Sequence, residues 1–186
     1  MNALFENKHV LTNALLFQVL WFVAILAGWY WALIPLAFML THLIVIRSRM
    51  PVSILLLLLL SCIGMIFDGI LNYIGVYQFA VVSPQIPYLE LPVWLACLWI
   101  GFCFTLPLSL AWLVKKPYFF VIACTLLGPI SYLAGRRLEV LNFSDANIWF
   151  LVLEWCLFSV VSLVFLLPRL GVALTFPNAF KKESTC

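Results

Sequence analysis

The chain has 186 residues, of which 66% are hydrophobic and only 9% are charged, and its formal net charge is +3. Soluble domains carry roughly 25% charged residues, so this composition excludes an ordinary soluble enzyme or binding module. It indicates an integral membrane protein with no separate soluble domain, and residues 1–186 are therefore treated as a single integral-membrane domain.

Apolar runs long enough to cross a bilayer follow one another along almost the whole chain. A helix needs about 20 apolar residues to span a hydrocarbon core of ~30 Å. Charged residues and helix breakers separate the runs and predict an all-α, polytopic transmembrane helix bundle with six spans. The predicted spans and the tail that follows them are residues 11–27, 31–46, 51–74, 91–114, 117–135, 147–168 and 169–186.

The first two spans require a turn between them. A single helix over residues 10–46 would be about 55 Å long, which is far more than one crossing needs. A hairpin that turns at the sequence AGWYW fits better and places Trp29, Tyr30 and Trp31 at a membrane interface, where aromatic residues collect. A single crossing of residues 10–46 is the alternative, and it would reduce the bundle to five spans.

The basic residues are unevenly distributed between the two sides of the predicted bundle. Only Arg136 and Arg137 fall on the side that carries the loops around residues 75–90 and 136–146. The positive-inside rule therefore predicts that this side is the outer one and that both termini are cytoplasmic. The basic residues of the predicted cytoplasmic side are Lys8, Arg47, Arg49, Lys115, Lys116, Arg169, Lys181 and Lys182.

One carboxylate, Asp68, lies within the third predicted span, about 25 Å from the span's start. At that depth we expect it to be partly desolvated and still within reach of water on the outer side. Asp68 shares a helix face with Ser61, Gly64, Asn72 and Gly75, because these residues follow one another in steps of three or four. A face of small and polar residues indicates contact with protein instead of lipid.

The fifth and sixth spans bring further polar residues to the same depth. Tyr132 and Arg136 lie one helical turn apart on the fifth span, and Glu154 lies roughly 10 Å inside the sixth. We therefore predict an outward-facing polar pocket with Asp68 and Glu154 as candidate catalytic acids and Arg136 as their cation. The candidate ligand-binding residues are Asn72, Tyr73, Glu90, Trp94, Tyr132 and Arg136, with Tyr77 and Gln78 also at the rim.

Structural interpretations of these polar residues remain open. Asp68 would then be a helix-end residue hydrogen-bonded to Asn72 or to Arg136. Glu90 would stabilise the N-terminal turn of the fourth span through the helix dipole. Asn13 and Gln18 in the first span fit interhelical hydrogen bonds better than ligand contacts.

Several kinds of site lack their residues in this sequence. The histidines, His9 and His42, lie toward the predicted cytoplasmic side, far from the acids, so neither a Ser-His-Asp arrangement nor a histidine–carboxylate metal site can form from this chain alone. No phosphate-cradling glycine loop or dinucleotide motif occurs. We therefore expect no metal, no cofactor and no nucleic acid partner.

Three stretches, FDGILNYIGVYQF, PYLELPVWLACLWIGF and LGPISYLAGRRLEVLNF, resemble in this order a family of short bacterial multi-pass inner-membrane proteins of unknown function. The resemblance implies a bacterial inner-membrane protein and no particular reaction. A weaker, local similarity links QIPYLELP to the membrane-integral lycopene cyclases, whose motif places acids after a proline at a span start. Here Glu90 stands between Leu89 and Leu91, where those enzymes have adjacent acids.

The sequence thus predicts a protein of the bacterial inner membrane whose outer-side pocket binds a membrane lipid or another small hydrophobic or amphipathic molecule, with acid–base chemistry on it as one use of the carboxylates. A small transporter is the first alternative. The second alternative is a non-catalytic partner or assembly factor for another membrane protein, in which the polar residues would be structural.

Overall fold

The computed structural model describes residues 2–46, 52–80 and 84–171. In these ranges the chain forms seven α-helices, four two-residue strands and one 3-10 turn at Asp145–Asn147. The helices are α1 (Asn2–Leu26), α2 (Trp29–Ile46), α3 (Ile54–Tyr73), α4 (Val93–Thr105), α5 (Ala111–Val114), α6 (Pro117–Arg137) and α7 (Ile148–Leu166). The strands are β1 (Gln78–Phe79), β2 (Gln85–Ile86), β3 (Leu91–Pro92) and β4 (Leu141–Asn142).

Five of the helices, α1, α2, α3, α6 and α7, are long and apolar enough to cross a membrane. Their outward faces carry large hydrophobic side chains that only lipid would cover, for example Val45, Leu55 and Leu127. This confirms the prediction of an all-α, multi-pass membrane protein.

Residues 10–46 form the predicted hairpin. Gly28 has a φ of +87°, a conformation that glycine adopts without steric cost, and it separates α1 from α2. The two helices fold back on each other, so His9 near the start of α1 meets His42 near the end of α2, with 2.9 Å between Nδ1 and Nε2. The alternative of a single crossing over these residues is therefore wrong.

The fourth predicted span, residues 91–114, is not one continuous helix. Helix α4 has 13 residues and is about 20 Å long, which is too short to cross a bilayer alone. It ends before Pro107, which has no N–H to continue the helical hydrogen bonds. A series of tight turns over residues 106–110 leads to the single-turn helix α5, which completes the path across the bundle.

A buried side chain compensates for this break. In a continuous helix the carbonyl of Phe104 would accept a hydrogen bond from the N–H of Leu108, but Leu108 donates to Thr105 instead. The amide of Asn13 on α1 donates to the Phe104 carbonyl at 3.3 Å and accepts from the hydroxyl of Ser109 at 2.7 Å. Asn13 is fully buried, so the interpretation of this residue as an interhelical hydrogen-bonding group is confirmed.

Two short ladders close one end of the bundle, which we call the cap (residues 74–80, 84–92 and 138–147). Strand β1 pairs with β4 and β2 pairs with β3, both antiparallel. The amide of Asn147 donates to the carbonyl of Val76 at 2.5 Å, which ties the start of α7 to the chain after α3. The cap thus fixes the ends of α3, α6 and α7 relative to one another.

Both ends of the described chain lie opposite the cap. Helices α3 and α6 end at the cap, α4 and α7 begin there, and α1 returns to its starting end through α2. The charged residues Lys8, Lys115, Lys116 and Arg169 therefore lie at the same end of the bundle, as the six-span prediction requires. The prediction that this end is cytoplasmic stays a prediction.

Close helix contacts depend on glycines that face aromatic rings. A Cβ atom on Gly64 of α3 would overlap the six-membered ring of Trp99 on α4, and one on Gly128 of α6 would overlap the indole of Trp155 on α7. A Cβ on Gly101 of α4 would meet a terminal methyl group of Leu20 instead. Small residues at such positions let transmembrane helices approach, because packing replaces the hydrophobic driving force in lipid.

We predict that Gly64→Ala destabilises the protein more than Gly101→Ala does. The indole of Trp99 is held by a hydrogen bond and cannot move aside, whereas the end of Leu20 can rotate. The expected loss for Gly64→Ala is about 1–3 kcal/mol, typical of overpacking. Thermal unfolding in detergent measures both variants, and equal midpoints for the two would contradict a rigid contact at Trp99.

Candidate functional site

The chain turns sharply after α3 and brings Tyr77 back over Asp68. Gly75 has a φ of +76°, and the N–H groups of Gly75 and Val76 donate to the carbonyls of Asn72 and Leu71. This is the Schellman arrangement, which ends a helix and reverses the chain direction. The hydroxyl of Tyr77 consequently lies next to Asp68, 2.9 Å from the backbone carbonyl oxygen of that residue.

The carboxyl group of Asp68 is fully buried and accepts hydrogen bonds from three side chains. Trp99 of α4 donates from Nε1 to Oδ2 at 2.5 Å, and the hydroxyl of Tyr132 of α6 lies 2.7 Å from both oxygens. Tyr77 donates to Oδ1. A buried carboxyl group needs such partners, since transfer out of water without them costs several kcal/mol. Asp68 therefore joins α3, α4, α6 and the cap.

The phenol of Tyr77 remains a donor over the physiological pH range. Burial raises its pKa well above the ordinary value of a tyrosine, and the neighbouring carboxyl groups of Asp68 and Glu154 raise it further. Each of these influences disfavours the phenolate. The hydrogen bond from the cap to Asp68 is therefore not lost by titration of Tyr77.

Glu154 of α7 is the second acid of this cluster. It is 4% exposed, and its carboxyl group is close enough to Asp68 for the two to interact electrostatically. Among the described residues, neither of its oxygens has a hydrogen-bond partner of good geometry. Three donors face Asp68, whereas Glu154 has the carboxyl group of Asp68 beside it.

Arg136 does not pair with these acids. Its guanidinium group donates to Asp145 at 2.7 Å and to the carbonyl of Phe143 at 3.0 Å, and it lies 4.9 Å from the centre of the Phe143 ring. Arg136 is in the last turn of α6, at the level of the cap, while Tyr132 is one turn deeper. The expectation that Arg136 is the cation of Asp68 and Glu154 is therefore wrong.

The other predicted site residues are distributed around the cluster. Asn72 donates to the backbone carbonyl of Glu90 at 3.4 Å, and the side chains of Tyr73 and Glu90 are exposed. Trp94 is buried at the start of α4, where its ring meets Phe79 of the cap edge to face. The structure thus brings together Asp68, Glu154 and Tyr132, and it leaves the remaining candidates outside the cluster.

The predicted opening of the pocket toward water is also wrong. Asp68 and Tyr77 are at most 1% exposed, because the cap residues cover them. The chain reversal at Gly75 produces this cover, and the spacing of polar residues along α3 could not reveal it.

A cavity of about 540 Å³ lies on the other side of the cluster, between α1, α4 and α6. We call it the lateral cleft. Its inner wall includes Trp99, Tyr132 and Trp155, and its mouth is formed by exposed side chains of α1 and α6 that include Phe22 and Leu127. These exposed residues belong to membrane-spanning helices, so the cleft opens sideways toward lipid.

Sequence reasoning did not identify Trp99 and Trp155. Their indoles stack 5.1 Å apart at 17°, which is one of several ring contacts between α4 and α7. One signal was available, because a carboxyl group buried in a membrane requires donors, and tryptophan and tyrosine are the apolar residues that supply them. The pairing of each indole with a glycine on a neighbouring helix has no signature in a single sequence.

Different effects are expected for the two acids. Asp68→Asn replaces one acceptor oxygen by a donor that faces other donors, and the expected loss of unfolding free energy is about 1–3 kcal/mol. Glu154→Gln removes a carboxyl group that has no donor and supplies an amide that can donate to Asp68. We expect its thermal midpoint to equal or exceed that of the wild type.

Thermal unfolding in detergent at neutral pH tests this difference, with Glu90→Gln at an exposed acid as the matched control. The control should unfold like the wild type. A larger loss for Glu154→Gln than for Asp68→Asn would contradict the assignment of Asp68 as the acid that holds the helices together through its hydrogen bonds.

Comparison with known proteins identifies the family of the chain but assigns it no function. No curated protein and no solved structure matches the chain. The local similarity of QIPYLELP to lycopene cyclases therefore gains no support. Residues 10–164 match the family described as "Protein of unknown function (DUF2878)". This match covers the region from α1 to α7, and the chain belongs to that family.

Proposed function

We propose that this protein binds a lipid-like or amphipathic molecule in the lateral cleft. The observation that carries the proposal is a cavity at membrane depth whose mouth is apolar and exposed and whose inner wall includes the side chain of Tyr132. Its volume of about 540 Å³ is typical of sites for small molecules. An occupant would enter from the bilayer, since the cap closes the route from water.

The acid cluster supports a role for Tyr132 as the polar contact of this ligand. Neither Asp68 nor Glu154 is among the residues that line the cleft, whereas Tyr132 both lines it and is held by Asp68. A group whose position is fixed before the ligand arrives binds at lower entropic cost. Asp68 would thus be a positioning residue, and any acid–base effect of the pair on the ligand would pass through the phenol of Tyr132.

The proposed location is a bacterial inner membrane, with the end opposite the cap in the cytoplasm. The distribution of basic residues supports this orientation, because Lys8, Lys115, Lys116 and Arg169 lie at one end and Arg136 and Arg137 at the other.

Movement of the same molecule across or out of the membrane is the second candidate function. The break between α4 and α5 favours it, since Thr105, Ser109 and Leu113 from this region line the cleft. Interrupted transmembrane helices at a binding site are common in transporters, where they hinge and bind polar groups.

Filling the cleft tests the proposal. Ala123 of α6 lines the cleft, and its neighbour Ile122 is 56% exposed to lipid on the same helix and does not line it. We predict that Ala123→Phe loses a molecule that co-purifies with the wild type and that Ile122→Phe retains it. Native mass spectrometry and organic extraction of the three proteins, purified identically, measure the bound molecule and its amount.

The outcomes separate the candidate functions. Identical lipid content in all three proteins would overturn the proposal and favour a non-catalytic partner of another membrane protein. Loss in Ala123→Phe alone supports it. Membranes of cells that carry the wild type or Ala123→Phe then show whether the same molecule changes location, as transport requires, or whether a chemical product disappears.

A further inference from the structure

The chemistry of the cleft wall restricts its ligand further, on the basis of the proposed function. We infer that the lateral cleft selects a neutral lipid alcohol with an unsaturated, planar chain, and that its hydroxyl group donates a hydrogen bond to the oxygen of Tyr132. The charge, the hydrogen-bonding capacity and the aromatic content of the wall each support one part of this inference.

The wall has no ionisable carboxyl, amine, guanidinium or imidazole group among its described residues. No cation that could pair with a phosphate or a carboxylate is among the described residues that line the cleft. An ionised headgroup inside the cleft would therefore be desolvated without a partner, which costs several kcal/mol. This excludes phospholipid headgroups and fatty acids from the cleft interior and favours a neutral ligand.

The hydroxyl groups of the wall already donate within the protein. Ser131 donates to Gly128, Thr105 to Phe102 and Ser109 to Asn13, while Tyr132 donates to Asp68. Each hydroxyl oxygen keeps acceptor capacity. The wall therefore offers acceptors, and it also holds donors in the side-chain amide of Gln18 and in Nε1 of Trp155, which has no hydrogen-bond partner among the described residues. An alcohol complements such a wall because its hydroxyl group both donates and accepts.

Aromatic rings form a large part of the wall. Rings attract other π systems in offset and edge-to-face arrangements by about 0.5–1.5 kcal/mol beyond the area that they bury. A conjugated chain gains this attraction, and a saturated chain of equal length does not. The aromatic residues of the wall are Phe17, Trp21, Phe22, Trp99, Phe102, Tyr132 and Trp155.

The length of the cleft suits an extended chain. Along α6 its lining runs from Ala123 to Ala134, which corresponds to about 16 Å of helix. Tyr132 is near the cap end of this stretch, so the hydroxyl group of the ligand would lie toward the cap and its chain would extend toward Thr105 and Ser109.

Retinol is a suitable probe because it is a neutral conjugated alcohol that accepts excitation energy from tryptophan. The full-length protein in phosphatidylcholine nanodiscs is titrated with retinol, and energy transfer from the cleft tryptophans reports binding. We expect saturable binding that Ala123→Phe weakens about tenfold or more and that Ile122→Phe leaves unchanged. Retinoic acid, octadecanol and phosphatidylglycerol should each compete at least about tenfold less well.

Tyr132→Phe tests the hydroxyl contact. It leaves Asp68 with the donors Tyr77 and Trp99, and it should weaken retinol binding by roughly 3- to 10-fold, the effect of one hydrogen bond. Binding of retinyl acetate, which has no hydroxyl proton, should not change. Equal weakening for both probes would overturn the assigned contact.

Failure of this inference is distinguishable from failure of the proposed function. If retinoic acid or phosphatidylglycerol competes as well as retinol, the ligand is not required to be neutral, and equal competition by octadecanol overturns the preference for unsaturation. If the extraction experiment finds a cleft-dependent phospholipid, the proposed function stands and the inference is wrong. If extraction finds no cleft-dependent molecule and Ala123→Phe binds retinol like the wild type, both are wrong.

Discussion

The buried carboxyl group of Asp68 is the constraint on which the arrangement of the bundle depends. In a bilayer no water can satisfy it, so the protein must supply hydrogen-bond donors. Those donors come from separate parts of the chain, with Tyr77 in the cap, Trp99 on α4 and Tyr132 on α6. Helix packing in lipid lacks a hydrophobic driving force between helices, and a shared polar group of this kind fixes which helices meet.

The same requirement explains why a cleft remains. Trp99 and Tyr132 extend from α4 and α6 to reach Asp68 on α3, and Trp99 also stacks on Trp155 of α7. Bulky rings, and not close backbones, therefore occupy the space between α4 and α6. Helix α6 packs mainly on α7, while α1 packs on α2 and α4, and the lateral cleft is the gap between these two groups.

The sequence was sufficient for the helical class, the hairpin at Gly28 and the convergence of Asp68, Tyr132 and Glu154, because these follow from hydropathy, breakers and helical spacing. It was not sufficient for features that depend on chain reversal. The Schellman turn at Gly75 decides that Tyr77 covers Asp68, and the position of Asp145 decides the partner of Arg136. Neither is encoded in the periodicity of a span. The break at Pro107 could be expected from the proline, which has no N–H. Its extent depends also on Asn13 of another helix, which donates to the carbonyl of Phe104.

Glu154 is the feature that a purely structural interpretation of the cluster explains least well. Asp68 is satisfied, and as a structural link it requires no second acid. A buried carboxyl group without a hydrogen-bond donor is costly, and glutamine or leucine would fill the same volume at lower cost. Its carboxyl group lies beside Asp68, and Asp68 in turn contacts Tyr132 at the cleft wall. A costly buried acid this close to a residue that lines the cleft fits a binding site better than it fits a scaffold.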